Sequence, residues 1–179
     1  MVDLAGKTVA VLVDNYPEEA ELTGPVDALK KAGATVEIIA AEPENGKIQG
    51  LNHVDKGHRF DFDKTLEEAN IDDYDALVLP GGAINADNLR MQDKARDWVN
   101  KISAAGKPLA VICHAPWVLA SAGLAKGRKL TSYFTIQDDM RDAGADWIDQ
   151  EVVIDGNLIT SRNPDDIPAF NKALIGMLA

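Results

Sequence analysis

Only one cysteine, Cys113, occurs among the 179 residues, so no disulfide can form within the chain. Aromatic residues make up just 6%. No apolar run approaches the roughly 20 residues that a membrane-spanning helix needs. The first residues, "MVDLAGKTVAVLVDNYPEEAEL", hold a short apolar run with acids on both sides, which fits neither a secretory leader nor a membrane anchor. A chain with one thiol and no export signal is expected in the reducing cytoplasm. Basic residues are scarce too: 18 Lys and Arg stand against 29 Asp and Glu, for a net charge of −11. That balance argues against nucleic acid or an anionic membrane as partner. Neither G-x-x-x-x-G-K-[ST] nor G-x-G-x-x-G is present, which removes the phosphate-loop and dinucleotide readings. His53 and His58 sit in a polar segment without a cysteine or carboxylate ligand set, so they read as solvated loop residues, and no metal or cofactor is expected.

What is present is an alternation. Apolar residues make up 46% and charged residues 26%, the composition of a globular protein, and the length suits one domain over residues 1–179. "KTVAVLVD", "TVEIIAAE", "DALVLPGG", "KPLAVICH" and "EVVIDGNLITS" are runs rich in Val, Ile and Leu, and the middle three lie between helical patterns, as parallel strands buried on both faces do. Leu22, Val26 and Leu29 predict a helix over 22–32, ended by Gly33, with Pro25 kinking it or marking its regular start. Met91, Ala95, Trp98, Val99 and Ile102 predict one amphipathic helix over 88–105, ended by Gly106. Asn163 and Pro164 open a last helix that Asp165 and Asp166 complement, with Ile167, Phe170, Leu174 and Leu178 on its buried face. Residues 46–63 predict one or two short strands inserted on this pattern. The expected architecture is an α/β, flavodoxin-like three-layer sandwich with a mostly parallel central sheet.

Ligands in such sheets bind outside the carboxyl ends of the strands. Three ends carry unusual groups: Glu18, Glu19 and Glu21 after the first strand, Gly81 and Gly82 after the third, Cys113 and His114 after the fourth. All should reach one rim. Cys113 stands where a strand must turn into a helix, as in a nucleophile elbow, and a helix N-terminus there would stabilise a thiolate. Free cysteine also commonly just fills space. His114 orients or deprotonates the thiol, or serves the structure or the surface, since adjacent side chains need not point the same way. Gly81-Gly82 supplies backbone N–H groups for an oxyanion, or a tight turn. By itself Glu18 reads as one of several acids favoured at a helix start.

Together these segments resemble the ThiJ/PfpI family of PfpI-type intracellular proteases and deglycases. The resemblance rests on "EEAEL", "DALVLPGG", "GKPLAVICHAPWVLASAGLAKGRKLTSY", "DDMRDAGADWID" and "EVVIDGNLITSRNPDD", and it spans nearly the whole chain. It implies Cys113 as nucleophile, Glu18 as the acid touching its sulfur, His114 as the neighbouring histidine and Gly82, beside Gly81, as the oxyanion donor. It also implies Asp87 as a third acid lent by another subunit, hence a homodimer or larger ring.

Three functions follow as expectations from that resemblance. The leading one is cysteine-dependent hydration or hydrolysis of reactive carbonyls, such as methylglyoxal or its early adducts on amines and thiols, with Glu18 passing the proton. The second is peptide hydrolysis, which must protonate a departing amine and so needs His114 within roughly 3 Å of the sulfur or that nitrogen. The third is a non-enzymatic oxidative-stress sensor or chaperone using the same thiol.

Overall fold

The computed structural model describes residues 2–179. The first half of the chain runs through β1 (Thr8–Val13), α1 (Glu19–Lys31), β2 (Thr35–Ala40), the hairpin β3 (Ile48–Asn52) and β4 (Asp55–Phe60), β5 (Lys64–Thr65) and β6 (Ala76–Leu79). The second half runs through α2 (Ala83–Arg90), α3 (Asp93–Ala104), β7 (Leu109–Ile112), α4 (Pro116–Ser121), β8 (Lys129–Leu130), α5 (Gln137–Asp142), β9 (Asp146–Trp147), β10 (Val153–Asp155), β11 (Leu158–Ser161) and α6 (Ile167–Leu178). Seven strands form the main sheet in the order β10-β11-β7-β6-β1-β2-β5. Every neighbouring pair is parallel except β10 with β11. This is the flavodoxin-like sandwich that the alternation predicts.

The strands are apolar on both faces because both faces are covered. Val9, Val11 and Val13 of β1 point to the layer holding Leu22 and Val26 of α1 and Phe170 and Leu174 of α6. Ala10 and Leu12 point the other way, to Trp98 and Val99 of α3 and Leu119 of α4. The chain moves outward from β1 in both directions, to β2 on one side and β6 on the other. No crossover can fill the gap above that point, so a crevice opens over the carboxyl ends of β1 and β6. Among the described residues, no helix is long and apolar enough to cross a membrane.

Four elements differ in detail from the sequence pattern. α1 begins at Glu19, three residues before the apolar stripe, with Pro25 inside it. The run "EVVIDGNLITS" is two antiparallel strands. The polar insertion is the hairpin β3–β4. The helix expected over 88–105 is two helices, and Met91 at the break is 74% exposed instead of buried. The break is held open by side chains: Gln92 donates to Asp14 Oδ2 at 2.8 Å, and Arg96 donates to the Arg90 carbonyl at 2.6 Å. Gly33 and Gly106, both at positive φ, follow the helix ends as expected.

Trp98 is fully enclosed and its ring packs on Tyr74 at 6.0 Å. Trp98→Ala is therefore expected to cost about 3–5 kcal/mol in urea unfolding, whereas Met91→Ala should stay within about 0.5 kcal/mol. Equal losses at the two positions would contradict the split helix.

Candidate active site

Three loops converge on the crevice, and short polar contacts lock them together. Tyr16, at φ +66, turns the chain after β1. The Glu18 amide donates to the Gly81 carbonyl at 3.2 Å, and the Leu51 amide of the hairpin donates to the Pro17 carbonyl at 2.9 Å. Buried Asn85 acts as a clamp, accepting from the Asp14 amide at 2.7 Å and donating to the Pro80 and Gly81 carbonyls at 3.0 Å each. Its polar group satisfies backbone that has left the sheet ladder, where an apolar residue would leave buried carbonyls orphaned.

Cys113 stands at the elbow between β7 and α4 with φ +66. A non-glycine residue in this region is strained by roughly 1–3 kcal/mol and persists only where its surroundings hold it. Here its amide donates to the Ser161 carbonyl at 3.0 Å and its own carbonyl accepts from the Tyr133 amide at 2.7 Å. The strained turn directs the side chain out of the β7 ladder towards the crevice. Cys113 is 5% exposed, yet it lines a cavity of about 600 Å3. Tyr16, Leu51, Val54, Ile84 and Tyr133 give that cavity largely apolar walls.

The acid against the sulfur is Glu21, not Glu18. Glu21 lies on the buried stripe of α1 with Leu22, Pro25, Val26 and Leu29. Its carboxyl and the Cys113 side chain meet across Gly81, where a built Cβ would fall 2.5 Å from Cys113 Cβ, 2.8 Å from the Ile112 carbonyl oxygen and onto a Glu21 carboxyl oxygen. Glycine at 81 is thus the condition for the two groups to touch. At Gly82, with φ +93, a side chain would collide with Glu18 N and the Tyr16 carbonyl, each at 2.7 Å. Glu18 instead forms the turn into α1, and its carboxylate accepts from the His53 amide at 3.2 and 3.3 Å.

Burial first, then the negative charge of Glu18, pushes the Glu21 carboxyl up to about 8, against weaker pulls from the Cys113 thiol and the Gly81 amide. Neither Glu21 oxygen has a hydrogen bond of regular geometry, so little compensates a charge there and the neutral acid is favoured. Burial and the Glu21 carboxylate push the Cys113 thiol up, while the Gly82 and His114 amides pull it down. The sequence expectation of a thiol lowered by its helix end does not hold, since α4 has six residues and the sulfur is buried. The charged Glu21 that opposes ionisation is largely absent at neutral pH. A protonated Glu21 then donates towards the sulfur instead of repelling it.

His114 faces the thiol, with Nδ1 3.2 Å from Cys113 Sγ. Its ring stacks on Tyr133 at 4.6 Å and meets the edge of Trp117 at 5.3 Å. Burial lowers its pKa, so at neutral pH it is an uncharged imidazole able to accept a proton. Asp87 is exposed on α2 and lines a separate cavity of about 660 Å3 with Asp14, Glu42 and Glu44. Within one chain it does not join Cys113 and His114. The hairpin histidines are solvent-exposed, as the sequence pattern predicts; His53 also lines the mouth of the Cys113 cavity, and His58 on β4 pairs through Nδ1 with Glu19 Oε1 at 2.5 Å.

Sequence reasoning placed Glu21 at this rim but gave the sulfur contact to Glu18, and it overlooked Asn85, Tyr133 and the hairpin wall. Glu21 had a signal, because a glutamate four residues before Pro25 and eight before Leu29 falls on the apolar face of the helix.

A sequence model described as the DJ-1/PfpI family matches residues 7–177. The chain is 43% identical over 170 residues to Deglycase PfpI of Pyrococcus furiosus, covering 95% of this chain and 98% of that one. It is 38% identical over 172 residues to the Putative cysteine protease YraA of Bacillus subtilis, covering 96% and 98% respectively. The crystal structure of Drosophila melanogaster DJ-1beta is similar with a TM-score of 0.88 and 30% identity, over 97% of this chain and 90% of that one.

Glu21 holds its proton in the fold up to about pH 8, against an ordinary value of 4.5. The stability this provides is complete below the ordinary value and is lost as pH rises through the folded one. Across that interval the unfolding free energy should fall relative to Glu21→Gln, whose amide does not titrate, by on the order of a few kcal/mol. Parallel pH profiles for the two proteins would show that the buried carboxyl is ionised throughout.

Proposed function

The chain belongs to the DJ-1/PfpI family, and from that premise we propose that it is a cysteine-dependent enzyme acting on small reactive carbonyls, methylglyoxal and its early adducts on amines or thiols. The observation that carries this reading is the protonated, buried Glu21 held against a sulfur on a strained elbow. The name Deglycase PfpI, borne by a relative at 43% identity, supports it.

The chemistry balances with the groups in place. The Cys113 sulfur adds to the aldehyde carbon as its proton passes to His114 Nδ1, and the new oxyanion turns to the Gly82 and His114 amides. The imidazolium then returns that proton to the oxyanion, and the freed imidazole removes the proton on the former aldehyde carbon and passes it to the ketone oxygen, giving an enediol. Glu21 protonates the former ketone carbon and regains a proton as the hydroxyl on the first carbon becomes the thioester carbonyl. This internal transfer oxidises the first carbon and reduces the second, leaving a lactoyl thioester on Cys113 with no outside oxidant. Water then cleaves the carbon–sulfur bond, releasing lactate and restoring the thiol. An amine adduct reaches the same path by first releasing its amine.

Peptide hydrolysis remains the second reading, favoured by one observation: the 3.2 Å between His114 Nδ1 and the sulfur meets the geometric demand for a base and acid at the scissile bond. A cysteine-protease name among the relatives agrees with it. It further requires self-association, at least as a homodimer, so that an Asp87 from a second copy orients His114.

Wild type, Cys113→Ser and Glu21→Gln should be assayed for methylglyoxal loss with lactate formation, beside cleavage of fluorogenic peptides. Lactate formation is expected to vanish in Cys113→Ser and to drop by about 10²–10⁴ in Glu21→Gln. Peptide cleavage that depends on Asp87, without lactate formation, would overturn the carbonyl reading.

A further inference from the structure

Two consecutive glycines carry the backbone between the acid and the sulfur, and their own chemistry does little to hold it still. Without a Cβ, the peptide planes at Gly81 and Gly82 can turn over at small steric cost. Each plane is rigid and trans, so its carbonyl and its N–H point in opposite directions, and gripping one end aims the other. The N–H ends face the reactive groups. The Gly81 amide is turned to the Glu21 carboxyl and the Gly82 amide to the Cys113 sulfur, and each pulls the pKa of its partner down. Gly82 is also a donor to which the oxyanion turns in the mechanism above.

The carbonyl ends converge on one side chain. Asn85, fully enclosed in the first turn of α2, donates through Nδ2 to the Pro80 carbonyl and to the Gly81 carbonyl, each at 3.0 Å. Its Oδ1 accepts from the Asp14 amide at 2.7 Å. Two acceptors on one side and a donor on the other leave the side-chain amide a single orientation. The Pro80 carbonyl belongs to the plane that carries the Gly81 N–H, and the Gly81 carbonyl to the plane that carries the Gly82 N–H. We infer that Asn85 is a positioning residue: through these two planes it aims one N–H at the acid and the next at the sulfur and its oxyanion. Satisfying buried carbonyls is then only half of its task. The inference deepens the carbonyl reading and rests on it for the oxyanion step alone, because the acid and the sulfur are addressed in this way whatever the substrate.

Asn85→Leu keeps the size of the side chain and removes both donors. Alkylation of Cys113 by iodoacetamide follows the thiolate fraction. With the Gly82 N–H released, the rate near neutral pH should drop about tenfold, the scale of one lost hydrogen bond to a charged group. A purely structural role predicts the opposite sign, since loosening the site uncovers a thiol that is only 5% exposed. The pH at which Glu21 gives up its proton, about 8, should move up in the same variant, read from the unfolding free energy against pH. Glu18, Asp166 and Cys113, which also face Glu21, are unchanged there. Val99→Ala, a core change on α3, controls for lost stability and should move neither readout. Lactate formation should lose about 10² in kcat with KM little altered, as for a misaimed oxyanion donor. Alkylation that is unchanged or faster, or a Glu21 transition that stays in place, would overturn the proposal. Should Asn85→Leu fail to fold, hydrogen exchange in the wild type decides: the Nδ2 hydrogens are expected to be protected like the backbone amides of β6, and exchange at the rate of a free side-chain amide would refute the grip. A wild type that forms no lactate defeats the carbonyl reading and leaves the alkylation result standing.

Discussion

The site depends on one contact: a buried carboxyl meeting a sulfur through the space that Gly81 leaves open. On α1, Glu21 occupies a helix position that would suit leucine, and burying it is unfavourable unless it keeps its proton. Keeping the proton gives the sulfur a donor where it would otherwise face a charge. An acid in the core and a non-glycine residue at positive φ are both unfavourable placements, and the packing of a fully covered parallel sheet holds them side by side.

The position of the site follows from topology. β1 is flanked by β2 and β6, so the crossovers diverge above it, and the loops after β1, β6 and β7 come together at the resulting opening. The segment after β6 supplies the residues this convergence requires: Asn85 at the start of α2 to satisfy stranded carbonyls, Gly82 to let the Tyr16–Glu18 segment pass, and Gly81 to let acid and sulfur meet.

Much of this was legible in the sequence. Continuous Val, Ile and Leu runs between amphipathic segments specify doubly covered strands, and the elbow at Cys113 follows from the junction of such a run with a helix. Assigning the acid was harder, because Glu18, Glu19 and Glu21 sit within four residues and differ only in where the first helical turn directs them. Helix periodicity separates them once α1 is known to start at Glu19, but the apolar stripe alone begins at Leu22. The break at Met91 escaped for a different reason: it is held by Gln92 reaching Asp14 across 78 positions, a contact that no local pattern encodes. The orientation of His114 is likewise set from a distance, by the ring of Tyr133 stacked against it.

One wall of the cavity belongs to neither layer of the sandwich. The β3–β4 hairpin lies outside the seven-stranded sheet, attached to the start of α1 through the Glu18–Leu51 bridge and the Glu19–His58 pair. Its tip, from Leu51 to Lys56, forms part of the chamber's boundary without bearing any of the sheet's load. Substitutions at the tip can therefore recut the shape and charge of that boundary while the seven-stranded sheet and the reactive sulfur stay as they are.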